Sequence, residues 1–463
     1  MRRISHRIKI KSLFMIFAVT FILCSSLIAE PVMAYDEVVI VIDPGHGGDG
    51  DDDSNSGAIY NNLKEKDIDL ITATALYDEL SQYGNLKVYM TRTEDKPMTL
   101  QERVDYAASV GADMLVAVHY NASAHHRFYG AEIFTSAFSE EYAAGYSLAQ
   151  NIMNWWVEDG AVNKGIKTRI GNKGDYYGLI RIGREKSIPT IILEHGYLDN
   201  DIDFNKMSDE TAWKRIGQLD ATAIADYYGV KKGVVSANVN REYTVPVPTS
   251  RIEPDTTEPT DVSVTIDAYD AESGMLTYTV SATDSDGRLM YFDLDTESST
   301  LNPDNCFMHL NVWANDATSM QGSFKVPAGY SGKFVARVYN NYELYTDSSP
   351  VIIPEELIPE NVTLGGTTAG TAGGEATPMP EDAETENISV TDGDWTLESA
   401  LENAKGNDYS SDDAPLRKKS RSDYIGMVTA IVIAILMLAA SIIMAVKTRI
   451  DKKNRKKNNK FKY

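Results

Sequence analysis

Cysteine is nearly absent from this chain of 463 residues. Cys24 and Cys306 are its only two. Cys24 falls in a segment expected to be removed, which leaves Cys306 alone and excludes an intramolecular disulfide. The fold is therefore expected to be held by core packing. Positive charge is also scarce: 44 Lys and Arg stand against 67 Asp and Glu, a formal net charge of -23. Both ends are basic, so the middle is more acidic than the total suggests, which argues against nucleic acid as a partner. From Glu355 to Pro415 large apolar residues give way to Gly, Thr, Ala, Glu and Asp, and Lys405 is the one basic residue. Such a stretch cannot bury enough surface to order itself, and an extended acidic tether is expected over 355–423, ending in the basic Arg417, Lys418, Lys419 and Arg421.

The two ends carry location signals. Arg2, Arg3, Arg7, Lys9 and Lys11 precede an apolar run from Leu13 to Leu27, followed by Val32-Met33-Ala34 with small residues where a signal peptidase would read. Residues 1–34 read as a secretory signal peptide. Tyr424 to Val446 is uncharged, apolar and long enough to cross about 30 Å of hydrocarbon, so a transmembrane helix is expected at 424–446. The basic tail 447–463 then lies in the cytoplasm by the positive-inside rule. Together these predict a single-pass cell-membrane protein whose bulk faces the outside.

Between the ends the chain is too long for one compact domain. From Tyr35 to Val230 strand and helix patterns alternate. The β-branched run Val38 to Ile42 is apolar without alternation and reads as a strand buried on both faces. Leu70 to Gly84 has helical spacing, LKVYMTR follows as a strand, Leu100 to Val110 is helical, ADMLVAVHYNAS and PTIILEHGYLDN are further buried strands, and a helix closes the region at 210–228. This predicts an α/β catalytic domain at 35–230 with a largely parallel sheet and flanking helices. After a linker at 231–256 the period changes to two. DVSVTIDAYD, MLTYTVSATD, LMYFDLD, FMHLNVWAND, GSFKVPA and GKFVARVYNNY are short runs separated by turn residues, the pattern of an immunoglobulin- or fibronectin-like β-sandwich at 257–354.

Chemistry gathers where the apolar strands end. Asp43-Pro44-Gly45 is turn chemistry at the tip of the first strand, and His46 sits between it and Gly47-Gly48. Ligands collect at that end of an α/β sheet. His119 and Glu194 occupy the same kind of position on the other two strands, and Glu65 stands in the segment that opens the first helix. Two imidazoles and a carboxylate around a divalent ion compose a catalytic zinc site. A further carboxylate that binds no metal is what hydrolysis needs as a base. The residues are far apart in the chain, and no local metal motif such as HExxH occurs.

Six segments in order resemble the motifs of the zinc-dependent N-acetylmuramoyl-L-alanine amidases of bacterial cell walls. They are DPGHGG at 43–48, EKDIDL at 65–70, Thr91-Arg92, LQERVDYA at 100–107, VHYNAS at 118–123 and LEHGYLDN at 193–200, and the resemblance spans 37–229. It implies that His46, Glu65 and His119 hold one Zn2+ and that Glu194 is the catalytic base. It also implies the substrate: the amide between the lactyl group of N-acetylmuramic acid and L-alanine in peptidoglycan, cut in cell-wall turnover or remodelling.

The departures are small. An acidic insert, Asp49 to Gly57, lacks the glycine an EF-hand loop requires and reads as a solvated loop rather than a calcium site. His195 should point to the face opposite Glu194, and His125 and His126 read as exposed loop residues. The nearest alternative function is a zinc peptidase acting on stem peptides, but the carboxypeptidase type places a glutamate three residues after its histidine, where this chain has Asp49. The other is a non-catalytic wall-binding surface protein that keeps the fold, against which all four residues are present.

Overall fold

The computed structural model describes residues 36–48 and 55–358. The expected signal peptide, most of the acidic insert, nearly all of the tether, the membrane span at 424–446 and the basic tail lie outside them. No helix among the described residues is long and apolar enough to cross a membrane.

The first half runs β1 (Val38–Pro44), β2 (Ile59–Tyr60), β3 (Leu63–Lys64), α1 (Glu65–Leu80), β4 (Leu86–Met90), α2 (Leu100–Ser109), β5 (Met114–Asn121), β6 (Ala131–Thr135), α3 (Ser139–Glu158), β7 (Asn163–Lys167), β8 (Ile170–Gly171), β9 (Gly174–Asp175), α4 (Gly178–Glu185), β10 (Thr190–Tyr197), α5 (Asp201–Phe204) and α6 (Glu210–Tyr227). Its six-stranded sheet has the order β4-β1-β5-β10-β6-β7. Four of the five pairings are parallel; β10 and β6 run antiparallel, so the sheet is mixed rather than uniformly parallel.

Alternation along the strands sends residues to two apolar cores. Val38, Ile40, Ile42, Met114, Val116, Val118, Ile191 and Leu193 pack with α1, α3 and α6. Val41, Leu115, Ala117, Phe134 and Ile192 pack with α2 and α4 on the other side. Burying each such side chain is worth about 1.5–3 kcal/mol, which explains why the central strands read as unbroken apolar runs. Thr99 and Glu102 form a reciprocal capping box that starts α2, and Asp209 accepts from Ala212 N at 2.8 Å to start α6. Helices α1 and α6 cross so closely that a β-carbon on Gly217 would stand 2.2 Å from the Thr72 carbonyl oxygen.

The second half has β11 (Thr260–Asp270), β12 (Met275–Thr283), β13 (Leu289–Thr296), β14 (Asn311–Val312), β15 (Ser319–Lys325), β16 (Phe334–Asn340) and β17 (Tyr345–Asp347). They form two antiparallel sheets, β11-β12-β15 and β14-β13-β16-β17, joined by one core that includes Val264, Tyr278, Phe292, Trp313, Phe334 and Val338. The run FMHLNVWAND is not the full strand its pattern suggests. Only Asn311 and Val312 pair, because Cys306, Phe307 and Leu310 are drawn into a separate core shared with Tyr129 of the first half. Cys306 is a buried free thiol.

The two halves are packed together. Segment 231–256 is strapped along the first half: Gly84 N donates to Lys231 O, Asn240 N to Tyr228 O and Ile252 N to Ala137 O, at 2.8–3.0 Å. The Tyr129 hydroxyl donates to Leu310 O at 2.8 Å, the Tyr291 hydroxyl donates to Tyr129 O, and Arg288 donates to Asn163 O at 2.6 Å. Deleting residues 257–358 uncovers the buried ring of Tyr129, an aromatic worth about 1.5–3 kcal/mol when buried. Residues 36–256 should therefore melt below residues 36–358, by roughly 2–4 °C per kcal/mol lost. Thermal scans of both by circular dichroism test this, and equal midpoints would show that the docking adds no stability.

Candidate active site

The site is built around a turn that the backbone cannot make with ordinary residues. His46 has φ 52°, Gly47 113° and Gly48 90°, all left-handed, and glycine adopts such values without a steric penalty. Two buried arginines brace this turn. Arg92 donates to Pro44 O at 3.0 Å, Gly45 O at 2.5 Å and Lys66 O at 2.9 Å. Arg103 donates to Asp43 Oδ1 at 2.7 Å, Pro44 O at 2.7 Å and His46 O at 2.5 Å. The Thr91 hydroxyl also donates to Asp43. The Thr91-Arg92 and LQERVDYA motifs therefore converge on the DPGHGG turn.

Helix α1 supplies the carboxylate. No side chain caps its N-terminus; Glu65 N donates to Ala58 O at 2.9 Å and Lys66 N to Ser56 O at 3.0 Å. Glu65 is left to turn inward, where its Oε1 lies 3.2 Å from His46 Nε2 and 3.0 Å from His119 Nδ1. Tyr120 N donates to the same oxygen at 3.2 Å, and Ala58 N to Oε2 at 2.7 Å. The two imidazoles meet edge to face, 4.9 Å between centroids. Burial would raise the Glu65 carboxyl, but the charges and hydrogen bonds of His46 and His119 outweigh it and hold the group well below the usual carboxylate range. Burial lowers His119, which favours the neutral imidazole that ligates metals.

Donor atoms of His46, Glu65, Asp69 and His119 lie within 4.8 Å of one another. Asp69 is a residue that reading the sequence passes over. It follows Glu65 by one helical turn, is fully buried, and neither carboxylate oxygen has a hydrogen-bond partner. Burial, and then the charge of Glu65, push its carboxyl well above normal. An E-x-x-x-D spacing on one helix face was the available signal. Two imidazole nitrogens with carboxylates converging on one point, and an orphaned buried acid beside them, fit a divalent metal of the zinc type.

Glu194 stands across from this cluster, its Cα in register with His119. Its Oε2 is buried with no hydrogen-bond partner. Burial raises its proton affinity first, and the charges of Glu65 and Glu132 add to the rise, with Lys164 opposing. His195 takes the opposite face, as alternation requires: Nδ1 is 3.0 Å from His119 O and Nε2 is 2.9 Å from Asp220 Oδ2. His126 lies 2.8 Å from Asp199, and His125 3.2 Å from Asp304 of the second half; neither belongs to the group of converging donors.

The family of N-acetylmuramoyl-L-alanine amidases matches residues 40–226. The amidase CwlM of Bacillus licheniformis is 30% identical over 200 residues, which span 43% of this chain and 72% of that protein. The chain belongs to the N-acetylmuramoyl-L-alanine amidase family. The sporulation-specific N-acetylmuramoyl-L-alanine amidase of Bacillus subtilis (strain 168) is 28% identical over 42% of this chain and 70% of its own length. The solved catalytic domain of the amidase CwlV from Bacillus (Paenibacillus) polymyxa var. colistinus aligns at 29% identity over 42% of this chain and 99% of that one, with a TM-score of 0.36.

Within this amidase, Gly45 is the tightest point of the site. A β-carbon there would stand 2.3 Å from His119 Cε1 and 2.7 Å from Asp69 Oδ2. Gly45→Ala should displace the imidazole, lose bound divalent metal and cost about 1–3 kcal/mol. Metal analysis beside urea unfolding checks this; a variant with wild-type metal content and stability would show that the site yields.

Proposed function

We propose that the protein hydrolyses the amide between the lactyl group of N-acetylmuramic acid and L-alanine in peptidoglycan, with one zinc ion held by His46, Glu65 and His119. The observation that carries this reading is the convergence of those three donors beside the strand that carries Glu194, in register with His119 and with its buried Oε2 lacking a hydrogen-bond partner. Zinc bound there supplies Lewis acidity toward the amide carbonyl and acidifies water at neutral pH.

The chain's own residues do the rest. Glu65 keeps both imidazoles aimed at one point and contributes negative charge that suits a cation. Glu194, poised by burial to accept a proton, takes it from the attacking water and passes it to the nitrogen of the departing L-alanine. The Arg92 and Arg103 clamps keep His46 in its left-handed conformation so that the donor set is assembled before substrate arrives.

The location reading is also a proposal. The basic and apolar N-terminal segment and the uncharged run at 424–446 support a secreted, single-pass protein whose catalytic half faces the wall. The two antiparallel sheets of the second half, three strands facing four, support a fibronectin- or immunoglobulin-type sandwich.

Digesting purified peptidoglycan and identifying the new termini by mass spectrometry tests the reaction. New L-alanine amino termini are expected, and cleavage within the stem peptide would identify a peptidase instead. Separation of roles is the finer test. His119→Ala removes a donor and should lose both zinc and activity. Glu194→Gln should keep zinc near one equivalent and lose a factor of about 10² to 10⁴ in rate. If it loses zinc as fully as His119→Ala, Glu194 is a ligand and the assignment of roles is wrong.

A further inference from the structure

A chain of charges, buried at Lys164, Lys167 and Glu132 and half-buried at Glu343, crosses from the second half into the catalytic half. Glu343, in the turn between β16 and β17, has a left-handed φ of 68° and extends out of its own sheet. Its Oε1 accepts from Lys164 Nζ at 2.5 Å and from the Tyr197 hydroxyl at 2.8 Å. Lys164 is fully buried. Its ammonium also donates to the Tyr197 hydroxyl and stands 3.8 Å from Glu132 Oε1. Lys167 pairs with Glu132 through Oε2, and Asn121 Nδ2 donates to Glu132 Oε1 at 2.7 Å. Glu132 is the register partner of Glu194 on β10, and Asn121 ends the strand that carries His119.

We infer that Glu343 is a positioning residue for the catalytic site: by holding the Lys164 ammonium at the boundary between the halves, it fixes Glu132 and, through it, Asn121 and the strand pair bearing His119 and Glu194. The physical reason is a balance of partners. A buried ammonium needs a carboxylate, and here Lys164 and Lys167 each have one. Without the Glu343 charge, both lysines compete for Glu132. Lys164 would close its 3.8 Å gap and draw Glu132 away from Asn121. The ionised pairing is consistent with Glu343 itself: burial would raise its carboxyl, but attraction to Lys164 and Lys167 and the bonds from Lys164 and Tyr197 hold it down at about 2.

This rests on the amidase reading, and the test separates the two. Glu343→Gln in the full chain should lower kcat on peptidoglycan fragments by about tenfold, as small displacements of a catalytic group do, with KM within about twofold. Glu343→Asp, which keeps the charge, should restore most of the loss. The double variant K164M/E343Q removes both charges and with them the competition for Glu132, so it should regain the melting temperature, since replacing both partners of a buried pair is far milder than removing one, and most of kcat. The side-chain amide resonance of Asn121, followed without substrate in asparagine-labelled protein, should move in Glu343→Gln and return in Glu343→Asp. The inference is overturned if kcat of Glu343→Gln stays within about twofold of wild type, or if the double variant regains its melting temperature while kcat stays low. An unmoved Asn121 resonance overturns it whatever the substrate proves to be. Wild-type protein that frees no L-alanine terminus sinks the proposed function instead, and the resonance still decides the coupling.

Discussion

The carboxylate of Glu65, caught between His46 and His119, is the interaction on which the site depends. An anion in that place would be costly in isolation, since desolvating a charge without a partner is among the most unfavourable events in folding. It is tolerated because two imidazoles and the amide hydrogens of Tyr120 and Ala58 face it. The four contacts come from three elements: the turn after β1, the end of β5 and the loop before β2. That carboxylate is also one of the donors that could hold a cation. Holding His46 in reach of it requires a left-handed residue flanked by two glycines, and that turn is in turn secured by arginines from outside it.

The sheet sorts function by parity. On β5 and β10, His119 and Glu194 continue the positions of Leu115, Ala117 and Ile192, so they emerge together at one face of the strand ends. His195 continues Ile191 and Leu193 and is committed to Asp220 and Trp156 on the opposite side. The histidine next to Glu194 in sequence is thereby kept out of the cluster, yet it reaches the backbone carbonyl of His119 from behind.

The second half is more than a spacer in this arrangement. Its apolar residues share a core with Tyr129, the segment before it is hydrogen-bonded to the first half along its length, and Glu343 enters a charge network that ends beside Glu194. A buried network of this sort is costly unless every member is satisfied. The contribution of Glu343 is to bring carboxylates and ammonium groups into balance.

Much of the catalytic half was legible in the chain because its signals are local. The unbroken β-branched run at Val38 to Ile42, the Thr99 and Glu102 capping pair, and the glycines around His46 each report their own conformation, and the strand ends that carry His46, His119 and Glu194 follow from them. The antiparallel placement of β6 against β10 left no such mark, nor did α3, β7 and α4, whose places are decided by packing on the finished sheet. The run FMHLNVWAND carries the apolar content of a strand, and only docking against Tyr129 turns most of it into a loop. Asp69 and Glu343 are unremarkable in composition, one an acid on a helix and the other an acid in a turn. The sequence by itself determined which residue types stand at the strand and helix ends, His46, Glu65, His119 and Glu194 among them. Tertiary structure alone decided which distant charges share one buried space, because burial and partnering are properties of the assembled chain and no local pattern encodes them.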